Sequence, residues 1–106
     1  MTKEQQRIAI ARACGWTHIV KENEEWAGRK PGTLATPYLP DYIHDLNACH
    51  EMEKVIPKEI FSRYMSLLTG IVSRDRMTER DHFANRSTAT AAQRCEAFLK
   101  TLNIYK

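Results

Sequence analysis

The sequence has few of the residues that would place it in a special structural class. Its 106 residues include four glycines, four prolines and three cysteines, and aromatic residues make up only 8%. No apolar run approaches the ~20 residues of a membrane-spanning helix, and a hydrophobic fraction of 42% argues against intrinsic disorder. The start, Met1 to Glu4, lacks the charged and then apolar profile of a signal peptide. We therefore expect a single globular domain over residues 1–106, located in the cytoplasm, with no membrane partner.

An excess of charge of one sign is also missing. Sixteen Lys and Arg oppose thirteen Asp and Glu, which leaves a formal net charge of +3. Even in the most arginine-rich stretch, residues 74–81, acidic side chains separate the basic ones. A nucleic-acid-binding protein normally collects its cations on one face, and a DNA mimic needs a large acidic surplus. The charge pattern therefore disfavours both classes.

Sequence motifs for metal binding and catalysis are absent as well. Cys14, Cys49 and Cys95 form no CxxC pair and do not have zinc-site spacing, so we expect small buried residues in a reducing compartment. The chain has no glycine-rich phosphate-binding motif, no GxSxG and no other recognisable nucleophile motif. We accordingly predict no catalytic residue, no metal site and no cofactor.

The elements that are present predict a small α+β fold. Thr2 with Gln5, and again Thr90 with Gln93, form the capping-box pattern that begins a helix. Apolar residues at helical spacing follow both boxes and also fill the middle of the chain, whereas partial alternation after Gly15 predicts a strand. The predicted elements are a helix over 3–14, a strand over 16–21, a second short strand near 26, and helices over 41–55, 57–72 and after 90. We expect a small sheet of two to four short strands packed with about four helices; the polar stretch 73–85 fits either a loop or one edge strand.

A predicted loop from Gly28 to Pro40 is the first candidate binding element. At about 12 residues it is near the upper limit for a compact domain, and loops of this length are often functional. Arg29 and Lys30, with Trp26 before them and Tyr38 after them, could bind an anionic or planar ligand, because arginine stacking and aromatic platforms hold nucleic-acid bases. The alternative is a surface loop whose aromatic side chains fold inward.

The second candidate is a polar group on the predicted helix 41–55. On a helical wheel His50 and Glu53 fall within the apolar arc, three residues apart, so their side chains could meet. A carboxylate in that position needs a partner. The functional interpretation is an acid/base pair or part of a metal site; the structural one is a buried polar pair completed by Arg94. In the structural case, His50→Ala would cost roughly 1–3 kcal/mol, because Glu53 would lose its partner.

Three blocks of sequence carry a resemblance to known proteins. They are Ile8-Ala9 with Cys14-Gly15-Trp16; Pro40-Asp41-Tyr42, Asp45-Leu46-Asn47-Ala48, His50-Glu51 and Glu53-Lys54; and the run from Ala89 to Leu99. In this order they resemble small phage and prophage proteins of the phage ABA-sandwich domain family. The resemblance implies a small sheet flanked by helices. It also implies a polar network joining two helices, with Asp45, Asn47, His50, Glu53 and Arg94 at matching positions.

The function expected from these features is binding without catalysis. The resemblance implies a phage or prophage accessory protein in the cytoplasm of a bacterial host, and we expect a counter-defence inhibitor of a host immune component. Its partner would be a host protein, as for an anti-CRISPR-like inhibitor, or a small nucleotide signal that it sequesters, with a homodimer as one arrangement. One alternative is a phage regulatory or replication accessory protein that contacts nucleic acid. Another is a metal-assisted enzyme built on Asp45, His50 and Glu53.

Overall fold

A computed structural model describes residues 1–33, 37–75 and 89–105. Within these residues, four helices and a two-stranded antiparallel sheet form a small α+β arrangement, so the predicted fold class is confirmed. The elements are α1 (Lys3–Ala13), β1 (Thr17–Glu22), β2 (Glu25–Arg29), α2 (Leu46–Glu53), α3 (Lys58–Asp75) and α4 (Ala91–Thr101). Of the stretch 73–85, residues 73–75 end α3, and the remainder lies outside the described residues.

The central element is α4, which contacts α1, α2 and α3. The expected capping box is present at its start, where the Thr90 hydroxyl accepts from the Gln93 backbone and the Gln93 side chain accepts from the Thr90 backbone. Seven of its eleven residues are buried: Ala91, Arg94, Cys95, Ala97, Phe98, Leu99 and Thr101. A helix that is apolar around most of its circumference must be covered on several sides, which explains its position.

Helix α3 packs along α4 and is also tied to it by charge. Its buried face consists of Tyr64, Leu68, Ile71 and Val72, all within the apolar helix predicted over 57–72. At its end, the Arg74 guanidinium donates to both carboxylate oxygens of Glu96 on α4, at 2.8 and 3.0 Å. This two-pronged hydrogen bond lowers the pKa of Glu96 and fixes the end of α3 against the middle of α4.

The two strands form a hairpin with a tight turn. Asn23 and Glu24 both have positive φ, 50° and 64°, as a type I′ turn requires. Gly28 lies opposite the start of β1, where an added Cβ would stand 3.1 Å from both the Thr17 carbonyl oxygen and Ile19 Cγ1. A Cβ at this position would require these neighbours to move by a few tenths of an ångström, so glycine suits the close approach of the strands.

The helix predicted over 41–55 is shorter in the structure. Asp41 starts a single turn, in which its carbonyl accepts from the amides of His44 and Asp45. Asp45 then takes an extended conformation and caps α2, its side chain accepting from the Asn47 amide at 2.9 Å. Because the helix begins after Asp45, a wheel drawn from Asp41 is only partly right: Cys49 is buried as expected, but Leu46 is exposed and the other buried residues of α2 are Ala48 and Met52.

The buried apolar residues of the four helices belong to one core cluster, and the partly buried Ile19 and Trp26 of the hairpin pack against it. Its largest fully buried side chains include Tyr64 and Phe98, from α3 and α4. Among the helices in the described part of the chain, none has the length and apolar character needed to cross a membrane.

Candidate functional site

A cavity of about 510 Å³ lies where the end of the hairpin, residues 37–42 and α2 meet. This volume is within the range of about 300–1,000 Å³ that small-molecule sites occupy. Its apolar lining comes from Trp16, Pro31, Pro37, Tyr38, Pro40, Tyr42, Ala48, Met52 and Val55. Its polar lining comes from Cys14, Lys30, Glu51 and Lys54. The site is therefore a largely apolar cleft with a few polar groups.

Only part of the predicted binding loop lines this cavity. Lys30 and Tyr38 do, and the Tyr38 side chain is 57% exposed. Trp26 instead contributes to a smaller cavity beside α1, where its indole N–H donates to the Glu4 carboxylate. Arg29 is exposed at the end of β2 and is not part of the lining. The structure thus separates the four residues that the sequence grouped together.

The predicted loop boundaries were also wrong at the N-terminal side. Gly28 and Arg29 belong to β2, and the returning chain forms a bridge with this strand between Ala27 and Tyr38. The Leu39 amide donates to the Trp26 carbonyl at 2.9 Å. Tyr38 is therefore held beside the sheet by backbone hydrogen bonds, which gives the cavity a supported aromatic wall.

Arg7 of α1 holds the same returning segment from the other side. Its Nε donates to the Pro40 carbonyl at 3.0 Å and its Nη2 to the Leu39 carbonyl, while Nη1 donates to Glu25 at 2.7 Å. The hydrogen bond from Arg7 to Glu25 is the largest cause of a lowered pKa of that carboxyl group. One half-buried cation therefore joins α1, β2 and the segment that carries Tyr38.

Cys14 and Tyr42 are the ionisable groups in the buried part of the cavity lining. The two side chains are close enough to influence each other's pKa, although burial has the larger effect on both. Burial raises the pKa of the Cys14 thiol to about 11 and also raises the pKa of Tyr42. At neutral pH both groups are protonated, so this part of the lining offers hydrogen bonds rather than a thiolate nucleophile.

Charge is confined to the more exposed part of the cavity lining. Lys54 donates to Glu51 at 3.1 Å, and both side chains are more than two-thirds exposed, so water screens this pair. Within residues 1–33, 37–75 and 89–105, no ion pair involves Lys30. Two lysines and one glutamate give the lining one net positive charge.

Comparison with profiles of known protein families, with curated proteins and with solved structures finds no match. The assignment of function therefore depends on the geometry of the chain itself.

The second predicted group, on α2, is only partly assembled. Glu53 accepts from Arg94 Nη1 at 3.0 Å and from the Tyr64 hydroxyl at 2.6 Å, and the Arg94 Nε donates to the Ala89 carbonyl. Burial, and after it the hydrogen bond to Glu53, raises the pKa of Tyr64. This network joins α2, α3 and α4, and Tyr64 is a member that sequence analysis did not include.

His50 is not part of this network, contrary to expectation. It is exposed on α2, because the helix begins after Asp45 and its buried face is rotated accordingly. Asp45 and Asn47 meet only through the helix cap at the start of α2. Across the described residues, no group of three His, Cys, Asp or Glu side chains is placed to hold a metal ion. The geometry thus gives the Glu53 and Arg94 pair a structural role.

Sequence analysis missed most of the cavity lining as ligand candidates, including Trp16, Tyr42 and Lys54. Trp16 follows Gly15, whose φ of 96° turns the chain after α1, and this directs the indole to the core edge. Tyr42 lies in the stretch that was predicted as the start of a helix. The clustering of prolines around Tyr38 was the one sequence signal available, since it marked where the chain returns to the sheet.

Proposed function

We propose that this chain acts by binding a small planar ligand with an anionic group, of the nucleotide class, in the cavity that Trp16, Tyr38 and Tyr42 line. The observation that carries this proposal is the combination of aromatic walls with lysines in the same cavity lining. An exposed tyrosine ring offers a face for base stacking, worth about 1–3 kcal/mol per base. Lys30 offers a positive charge for the phosphate.

The charge of the lining narrows the ligand class. Glu51 opposes one of the two lysines, so the net attraction corresponds to a single positive charge. A nucleotide with one phosphate fits this balance better than a triphosphate, which would place several negative charges near Glu51. The cavity volume of about 510 Å³ suits a single nucleotide unit.

Binding without catalysis is part of the same proposal. The ionisable groups in the buried part of the lining, Cys14 and Tyr42, have raised pKa values and are protonated at neutral pH. General acid/base catalysis works best when the pKa of the group lies near the working pH. These two side chains are better suited to position a ligand than to transform it.

Native mass spectrometry is the first test of this proposal. The purified protein should carry a small molecule with the mass of a nucleotide, or take one up when a nucleoside monophosphate is added. In a titration followed by tryptophan fluorescence, the monophosphate should bind more tightly than the matching nucleoside and than inorganic phosphate. Absence of binding by the monophosphate would refute the proposed ligand class.

Two variants with matched controls locate the site. Tyr38→Ala removes an exposed ring and should weaken monophosphate binding about tenfold, equivalent to about 1.4 kcal/mol of lost stacking. Lys30→Ala should remove the preference for monophosphate over nucleoside. Tyr105→Ala and Lys58→Ala change exposed residues outside the cavity and should leave affinity unchanged. Equal losses in the variants and their controls would place the ligand elsewhere.

The biological setting that we propose is phage counter-defence through sequestration of a nucleotide signal. It is supported by the resemblance to phage proteins and by a cavity suited to a nucleotide. Expression of the chain in bacteria whose defence depends on such a signal should restore phage growth, and Tyr38→Ala should abolish this effect. If both forms protect the phage equally, a host protein becomes the better candidate target.

A further inference from the structure

The three cysteines, distant in sequence, converge in the core around Tyr42. The Cys49 thiol donates to the Tyr42 carbonyl at 3.0 Å, and the Cys14 and Tyr42 side chains are close enough to influence each other's pKa. The thiols of Cys49 and Cys95 influence each other's pKa in the same way. All three are free thiols. Neither Cys49 nor Cys95 lines the proposed ligand cavity, so ligand binding does not explain their position.

The positions of Cys49 and Cys95 in the fold suit a cross-link. Cys49 lies in α2 and Cys95 in α4, and the Cys49 sulfur also stands 3.6 Å from the carbonyl of Ala91, one helical turn before Cys95. This contact places the Cys49 sulfur beside the turn of α4 that leads to Cys95, and side-chain rotation with a small shift of the helices would bring the two sulfurs to the bond length of about 2 Å in a disulfide. Both residues are fully buried, so no other thiol can compete from solvent.

We propose that Cys49 and Cys95 are an oxidative modification site at which hydrogen peroxide forms a reversible disulfide between α2 and α4. The Cys49 sulfur attacks one peroxide oxygen, which breaks the O–O bond and gives a sulfenic acid and one water. The Cys95 sulfur then attacks the Cys49 sulfur, which forms the S–S bond and releases the second water. In total, two thiols lose two electrons and two protons, and one hydrogen peroxide becomes two waters.

Either sulfur can attack first, and the product is the same disulfide. The interaction between the two thiols lowers the pKa of Cys49 and raises the pKa of Cys95, which favours Cys49 as the attacking sulfur. Cys14 is more exposed but carries a pKa raised by burial to about 11, which makes it a poor attacking group. Access to the pair requires local opening of α2, an eight-residue helix whose neighbours Ala48 and Met52 line the cavity.

Hydrogen peroxide and intact-mass measurement test this site, which does not depend on the proposed ligand. The reduced native protein should lose 2 Da after treatment and regain it with dithiothreitol, while the number of free thiols falls from three to one. Peptide mapping of the oxidised protein should give the Cys49–Cys95 link, and its thermal unfolding midpoint should rise. The Cys14→Ala variant should behave in the same way, since it retains both members of the pair.

Two further measurements can overturn the proposal. Cys49→Ala should not lose 2 Da and should instead gain oxygen on a remaining thiol. If this variant does not fold, peptide mapping of the oxidised protein without substitutions identifies the linked cysteines. A disulfide that includes Cys14, a disulfide between molecules, or one that forms only after unfolding in guanidinium would each contradict a native Cys49–Cys95 site. No mass loss under native conditions would contradict it as well.

Discussion

At the scale of single residues, two side chains that lie close together on α2 should differ greatly in their contribution to stability. Glu53 is bound by Arg94 and Tyr64, with only 15% of its own side chain and 11% of that of Arg94 exposed. His50, one helical turn earlier, is exposed. We predict that Glu53→Ala lowers the free energy of unfolding by about 2–4 kcal/mol, because it leaves a largely buried guanidinium without its carboxylate and a buried hydroxyl without its acceptor.

The matched substitution His50→Ala should change the free energy of unfolding by no more than about 0.5 kcal/mol, as is usual at exposed positions. Glu51→Ala, which removes a surface ion pair with Lys54, should be equally mild. Urea unfolding of the three variants gives the comparison. A cost for His50→Ala as large as that for Glu53→Ala would restore the predicted pairing of His50 with Glu53 and contradict the structure.

The sequence predicted the partner of Glu53 correctly but not its surroundings. Arg94 was expected because a carboxylate on an apolar helix face needs a cation, and the structure has that contact. His50 was misplaced because both Asp41 and Asp45 are good helix caps, and local sequence does not decide between them. Tertiary contacts determine which of the two residues starts the helix. Arg7 binds the carbonyls of Leu39 and Pro40, and this fixes the chain just before Asp41.

At the scale of helices and strands, sequence patterns that involve only neighbouring residues gave correct predictions. Both capping boxes, the stripe of α3 and the buried face of α4 follow from spacing alone, because a helix fixes which residues share a face. The cavity could not be predicted in this way. It depends on the return of Tyr38 to β2 and on the approach of α2, which are contacts between distant parts of the chain.

The hairpin turn gives a prediction at this scale. Glu24 has a φ of 64°, a left-handed conformation that costs a residue with a side chain about 1–2 kcal/mol. Glycine avoids this cost but loses about 0.5–1 kcal/mol through its greater freedom in the unfolded chain. We therefore expect Glu24→Gly, which creates the favoured Asn-Gly turn, to stabilise the protein by about 0.5–1 kcal/mol in urea unfolding.

A neighbouring glycine substitution is the control for that prediction. Glu22→Gly introduces the same residue at the end of β1, where φ is not positive, so only the entropic cost remains and stability should fall by about 0.5–1 kcal/mol. If Glu24→Gly also destabilises the protein, the turn in solution does not have the conformation described above.

At the scale of the whole molecule, basic and acidic residues are interspersed along the sequence, and the formal net charge is only +3. Within the described residues, ion pairs place a carboxylate beside many of the cations: Arg7–Glu25, Lys21–Glu4, Lys54–Glu51, Arg74–Glu96, Arg94–Glu53 and Lys100–Glu96. These pairs lie on all four helices and on the hairpin. A phosphate backbone that approached these surfaces would meet acidic groups as often as basic ones.

This distribution predicts weak binding to nucleic acid with little dependence on salt. Each phosphate that a protein neutralises adds about 0.9 to the slope of log affinity against log salt for duplex DNA. We expect a slope shallower than about −2 for a 20-base-pair duplex, measured by fluorescence anisotropy between about 50 and 200 mM salt. A slope of about −4 or steeper would require a continuous basic surface that contacts at least four phosphates. That outcome would favour the regulatory or replication function over nucleotide binding, because the charge available for such a surface would exceed what the cavity residues Lys30 and Lys54 can supply.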